Sequence, residues 1–213
     1  MADASWREAI LSDRRNVAIH EAGHAVAAWR LDLLNDEARI SINPGTDDDW
    51  GGIVRIDNPL ARHEFDLRYG ADTPPESENW SLEELAAFEA DSQRRQAKYR
   101  QEAEDLVVVT LAGYVAGRIA TLGVEPADST PDYHEAMRVL ERLTDAYPGD
   151  DEVLRNGLWA WLDVRAEQLL RRFWPAVEAL ADALLVRGEI AGADVLQIMR
   201  EAWKSSCSAA RRP

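Results

Sequence analysis

The sequence predicts a mainly α fold (α+β) that carries one small antiparallel β-hairpin. Three observations predict it. Apolar residues recur at helical spacing through most of the 213 residues. Alternation of apolar and polar residues, the mark of a half-buried strand, is confined to two short segments between 38 and 56. Pro, Gly, Asn and Asp punctuate the stretches between, as helix caps and turns require.

In chain order, the first helical pattern runs from about Ser12 to Leu34, with Ser12 or Asp13 as N-cap and Asn35-Asp36 at its end. "ARISINP" alternates Ile40 and Ile42 with polar residues and reads as a strand closed by Pro44-Gly45. "TDDDWGG" is a turn, and "GGIVRI" is a second strand that pairs with the first. Residues 57–80 are polar, hold Pro59, Pro74 and Pro75, and are expected as a mobile loop. Ser81 then caps a long helical pattern, sparse in apolar residues at first and dense from Leu106 to Leu122. This predicts an exposed charged helix leading into a buried one, continuous or with a bend. "VEPADSTPD" is a loop. Ser129 or Thr130 caps the next helix, with Pro131 in its first turn, where a missing N–H costs nothing. After Tyr147-Pro148-Gly149-Asp150 the chain reads only as helix and turn, at about 151–173, 175–187 and 192–204, with Gly188 and Gly192 marking the last break. The expected organisation is a single domain over 1–213. Its lobe at 1–147 has a polar insertion near 57–105, and 148–213 form a C-terminal helical bundle.

Composition narrows the function classes. A net charge of −15 argues against nucleic acid as partner, because phosphates would be repelled. With Cys207 as the single cysteine, neither an internal disulfide nor a cysteine-rich zinc knuckle can form. No apolar run approaches the roughly 18 residues of a membrane span, and the first residues lack a signal peptide's hydrophobic stretch, so a cytoplasmic location is expected. Trp159, Trp161, Trp174 and Trp203 sit at helical spacing and are expected in core or inter-helix packing. "RRQAKYR", Arg94 to Arg100, is expected as a solvated helix face, and His63 as an exposed loop residue.

The chemistry concentrates in the first helix, in "NVAIHEAGHAVAAW". His20 and His24 are four apart and lie about 40° from each other around the helix axis, on one face. Glu21 projects beside that face. This is H-E-x-x-H. Two neutral imidazoles suit zinc, and the carboxylate suits the proton transfers of a metal-activated water. Val17, Ile19, Val26 and Trp29 around them match a buried metal helix, and Gly23 in mid-helix predicts a close packing partner. Two histidines do not complete a site. No H-E-x-x-H-x-x-G-x-x-H extension follows and Arg30 to Leu34 hold no further histidine, so the third ligand is expected from a distant segment.

"VAIHEAGHAV" closely resembles the metal helix of the peptidase domain of FtsH-type AAA proteases. "ARISINP" and "GGIVRI" resemble the hairpin that follows that helix, and "LAGYVAGRIA" resembles the family's next buried helix loosely. "STPDYHEA" resembles the helix start that supplies the third ligand, and "VEALADALLVRGEIAGADVLQIM" the closing helices. The resemblance implies a zincin-like helical domain, Zn2+ held by His20, His24 and Asp132, and Glu21 as the catalytic base. Asp132 also has a case of its own, since a helix N-terminus favours an ionised carboxylate. Asp128, His134 and Glu135 remain its rivals. Gly117-Arg118 departs from the family's usual pair of glutamates, which puts the polar contacts near the site in question. No Walker-type phosphate loop occurs in the chain.

The expected function is therefore ATP-independent, zinc-dependent hydrolysis of peptide bonds in peptides or unfolded segments. A homo-oligomer or a separate unfoldase is an expected partner, and no membrane segment is. The strand residues Gly52, Ile53, Val54 and Arg55 are candidates for binding an extended substrate along a sheet edge. The competing expectations are a zinc-stabilised scaffold without turnover and a helical interaction protein with a fortuitous motif.

Overall fold

Six helices and three short strands make up the described residues of the computed structural model, which are 3–35, 37–42, 53–54, 80–121, 130–144 and 151–209. Of residues 3–13, 53–54, 130, 151 and 209 only the backbone is described. In chain order the elements are α1 (Asp3–Arg30), β1 (Arg39–Ser41), β2 (Ile53–Val54), α2 (Leu82–Ala120) and α3 (Thr130–Thr144). Then come α4 (Asp151–Arg172), α5 (Trp174–Arg187), β3 (Glu189–Ala191) and α6 (Ala193–Ala209). The mainly α class with an antiparallel hairpin is the observed one. The expected turn at "TDDDWGG", the loop at 57–79 and His63 lie outside the described residues.

Helix α1 begins well before its expected start, so Ser12 and Asp13 are interior positions and not caps. It also ends earlier, at Arg30. Asp32 adopts φ 61, and the Leu33 N–H reaches back to the Ala28 carbonyl at 2.8 Å. This is the 6→1 bond of a Schellman cap, with aspartate in the left-handed position that glycine usually takes. Helix α2 is one continuous run of 39 residues. Ser81 and Glu84 form a reciprocal capping box, with the Ser81 hydroxyl accepting from the Glu84 N–H and the Glu84 carboxylate accepting from the Ser81 N–H. Burial begins only at Ala103, and Arg94 to Arg100 are largely solvated, as their charge predicts.

The small sheet has the order β2-β1-β3, all antiparallel. Ile40 lies opposite Val54 on one side and Ile190 on the other. The third strand corrects the expectation that everything beyond 150 is helix and turn. Gly188 at φ 76 ends α5, its N–H bonded to the Leu184 carbonyl at 2.8 Å, and Gly192 at φ 55 starts the return into α6. Between them Glu189–Ala191 has room to extend and pair with β1. Three residues are too few for an alternation pattern to announce.

The core lies where α1 packs on α2 and α5. Ala18, Ala22, Ala25 and Ala28 are buried on α1, so the helices approach closely. A Cβ at Gly23 would stand 2.6 Å from both the Ala112 carbonyl oxygen and the Ala116 Cβ, which is the packing reason its place in mid-helix predicts. Trp159, Trp174 and Trp203 are half-buried against this core, but Trp161 is 60% exposed and corrects the expectation for it. Arg118 ties α2 to α4 through a two-pronged pair with Asp163 (3.2 and 2.9 Å) and a third bond to Glu167 at 3.0 Å. The Gly117-Arg118 departure is thus a helix–helix clamp, and its polar partners are on α4. Among the described residues no helix is long and apolar enough to cross a membrane.

Candidate metal centre

Three helices bring the site together. His20 and His24 project from the middle of α1, and Asp132 from the first turn of α3. His20 Nε2 lies 3.0 Å from Asp132 Oδ2, His24 Nε2 lies 3.2 Å from the same oxygen, and the two Nε2 atoms are 3.0 Å apart. Two nitrogens and a carboxylate oxygen thus converge on one point, as a group that can hold a metal ion. Helix α2 supplies the third wall and the orientation. The Val109 carbonyl can only accept, so His24 Nδ1–H donates to it at 2.7 Å, which turns Nε2 towards the centre. At Gly113 a Cβ would stand 2.3 Å from His24 Nε2 and 2.7 Å from His20 Nε2, so glycine is what lets both rings occupy this space. Gly113 and the Val109 carbonyl escape sequence reasoning. "LAGY" carries a glycine in a buried helix, the one signal that something packs closely there.

The side chains of His20, His24 and Asp132 are 22%, 12% and 27% exposed, so the centre is set into the protein yet open on one side. Glu21 is buried at 5% exposure, and the charges of His24, His20 and Asp132 all act on its carboxyl. Burial dominates there and pushes the Glu21 carboxyl up from its ordinary value. For Asp132 burial would do the same, but hydrogen bonds from His20 and His24, with their charges, hold it well below the usual carboxylate range. Burial would lower His24. The Asp132 hydrogen bond and charge, the Glu21 charge and the Val109 carbonyl override it and raise the imidazole from 6.5 to about 9.

The sign of this last shift gives a test. In the metal-free protein a His24 raised to about 9 contributes stability that is complete below pH 6.5 and lost as pH rises through 9. A bound metal ion would take the place of that proton. Melting temperatures in chelator should therefore fall between about pH 7 and 9, while those of metal-loaded protein should not. Parallel pH profiles with and without metal would refute the exchange.

Of the rivals for the third position, His134 is exposed with its ring 5.8 Å from Tyr133, and exposed Glu135 pairs with Arg138 at 2.7 Å. Asp128 lies outside the described residues, as do Gly52 and Arg55 of the candidate substrate strand. Ile53 and Val54 are described in backbone and form β2, at an edge of the sheet among the described residues. No family model matches the chain, and no curated protein matches it.

Proposed function

We propose that the chain is a zinc-dependent metallopeptidase that hydrolyses peptide bonds in peptides or unfolded segments without ATP. The observation that carries this reading is the convergence of His20, His24 and Asp132 beside a buried Glu21. Two nitrogens and an oxygen are a donor set that zinc favours. Their separations of 3.0, 3.0 and 3.2 Å are close to the roughly 3.3 Å edges of a tetrahedron built from bonds of about 2.0–2.1 Å. Three protein ligands and an open side fit a catalytic centre better than a closed structural one. The resemblance of "VAIHEAGHAV" to the FtsH-type metal helix supports the same assignment.

Bound zinc would supply Lewis-acid polarisation of the scissile carbonyl and a water acidic enough to react at neutral pH. His20, His24 and Asp132 would hold the ion, with the Val109 carbonyl orienting the His24 ring and Gly113 leaving room for both rings. Glu21 takes the proton of the attacking water as oxygen adds to the carbonyl carbon, and returns it to the amine as the C–N bond breaks. A carboxyl raised by burial suits that exchange, since a base works best with a pKa near the working pH. The β2 edge, with Ile53 and Val54, offers backbone groups to which an extended substrate adds as a strand.

The test compares a stable folded protein with its permanently unfolded variant, each with and without ATP, using purified zinc-loaded enzyme. The unfolded form should be cut at a rate indifferent to ATP. The folded form should resist, because opening a domain of roughly 5–15 kcal/mol exposes only a minute fraction. Absence of turnover on the unfolded form and on a broad peptide library would overturn the reading in favour of a zinc-stabilised scaffold.

A further inference from the structure

Helix α4 is apolar on two opposite sides. Leu162, Ala166 and Leu170 face the core. On the far side Leu154, Gly157, Trp161 and Val164 follow at spacings of three, four and three, the a and d positions of a coiled-coil seam. Leu154, Trp161 and Val164 are 44%, 60% and 45% exposed, and a Cβ at Gly157 would meet nothing within 4 Å among the described residues. The solvent face of a helix is ordinarily polar, and a glycine within it weakens the helix. Here neither departure serves a contact within the described chain.

We propose that this seam pairs antiparallel with the same seam of a second copy, forming a weak two-fold dimer. The residues themselves select that occupant. When the helices run antiparallel, an a position of one lies level with a d position of the other. Leu154 then meets the partner's Val164, and Trp161 meets the partner's Gly157, so each indole fills the space the other chain's glycine leaves. A parallel pair would set indole against indole and glycine against glycine. In a chain of net charge −15, a seam free of charge between Leu154 and Val164 is also where a second copy is least repelled. Leu154 to Val164 spans about one and a half heptads, so the interface falls at the small end of specific ones, below about 1,200 Å² in total, where weak association of about micromolar order is expected. This inference is independent of the zinc reading.

Sedimentation equilibrium of the full chain up to about 100 µM should show reversible dimerisation, and Trp161→Glu should abolish it with unchanged zinc content and helicity. Exposed Ala160 flanks the seam at a position that lies near its own counterpart across the two-fold axis. In a Cys207→Ser background, Ala160→Cys should therefore oxidise to a cross-linked dimer much faster than Glu178→Cys on the exposed side of α5. A monomer at every concentration would overturn the proposal. So would a dimer that survives Trp161→Glu, or equal oxidation of the two cysteines, which is how a seam covered by another segment of the chain would behave. If Trp161→Glu fails to fold, the cysteine comparison decides alone.

Discussion

Glu21→Gln is expected to keep the metal and the fold while lowering kcat on unfolded substrates by roughly 10²–10⁴-fold, the usual worth of a general base. The amide matches the carboxylate in shape but cannot take the proton from the attacking water. Glu21 is not among the three converging donors, so zinc content should be unchanged. Stability offers an independent check. Burial raises the Glu21 carboxyl, which means that ionising it works against the metal-free fold as pH rises above its ordinary 4.5. The neutral amide escapes that cost, so the melting temperature of Glu21→Gln in chelator at pH 7 should equal or exceed that of the wild type. The loss should fall on kcat with little change in KM, as for a group that acts only in the transition state. Retained turnover, after contaminating proteases are removed, would place the base elsewhere.

His24→Ala is expected to abolish stoichiometric zinc binding, and Asp132→Ala to weaken it strongly. His24 is the best-anchored donor, held by the Val109 carbonyl at 2.7 Å and facing both His20 and Asp132. Losing it leaves two ligands from two helices, too few for a site of this kind. Zinc held by the folded state would stabilise it, so His24→Ala should also remove any metal-linked rise in melting temperature. Gly113→Ala is the more discriminating change, because it removes no donor. Its Cβ would stand 2.3 Å from His24 Nε2 and must displace the rings, so zinc affinity should fall by about 10–100-fold, the scale of altered ligand support. Elemental analysis and chelator competition measure all three variants. Unchanged zinc in Asp132→Ala would move the third ligand to Asp128, His134 or Glu135.

Features encoded within a few residues are legible in the chain alone. Spacing of four puts His20 and His24 on one helical face whatever surrounds them. Ser81 and Glu84 are three apart, as a capping box needs, and the alternation around Ile40 and Val54 yields the strand pair. Gly23 announced a close approach before its partner, Ala112, was known. Features that depend on which helix meets which are written in no local spacing. Asp132 stands 108 residues from His24 and joins it because α3 packs on α2 and α4, which brings its first turn to the α1 histidines, while His134 and Glu135 face solvent. Gly113 belongs to the centre only because α2 crosses both imidazoles. Strand β3 exists only because β1 offers an edge to three residues that had no pattern of their own, and Trp161 is exposed because its neighbours on α4 already fill the core. Short-range spacing is a property of the helix or strand itself. The partners across a site are chosen by long-range packing, and no local period records it.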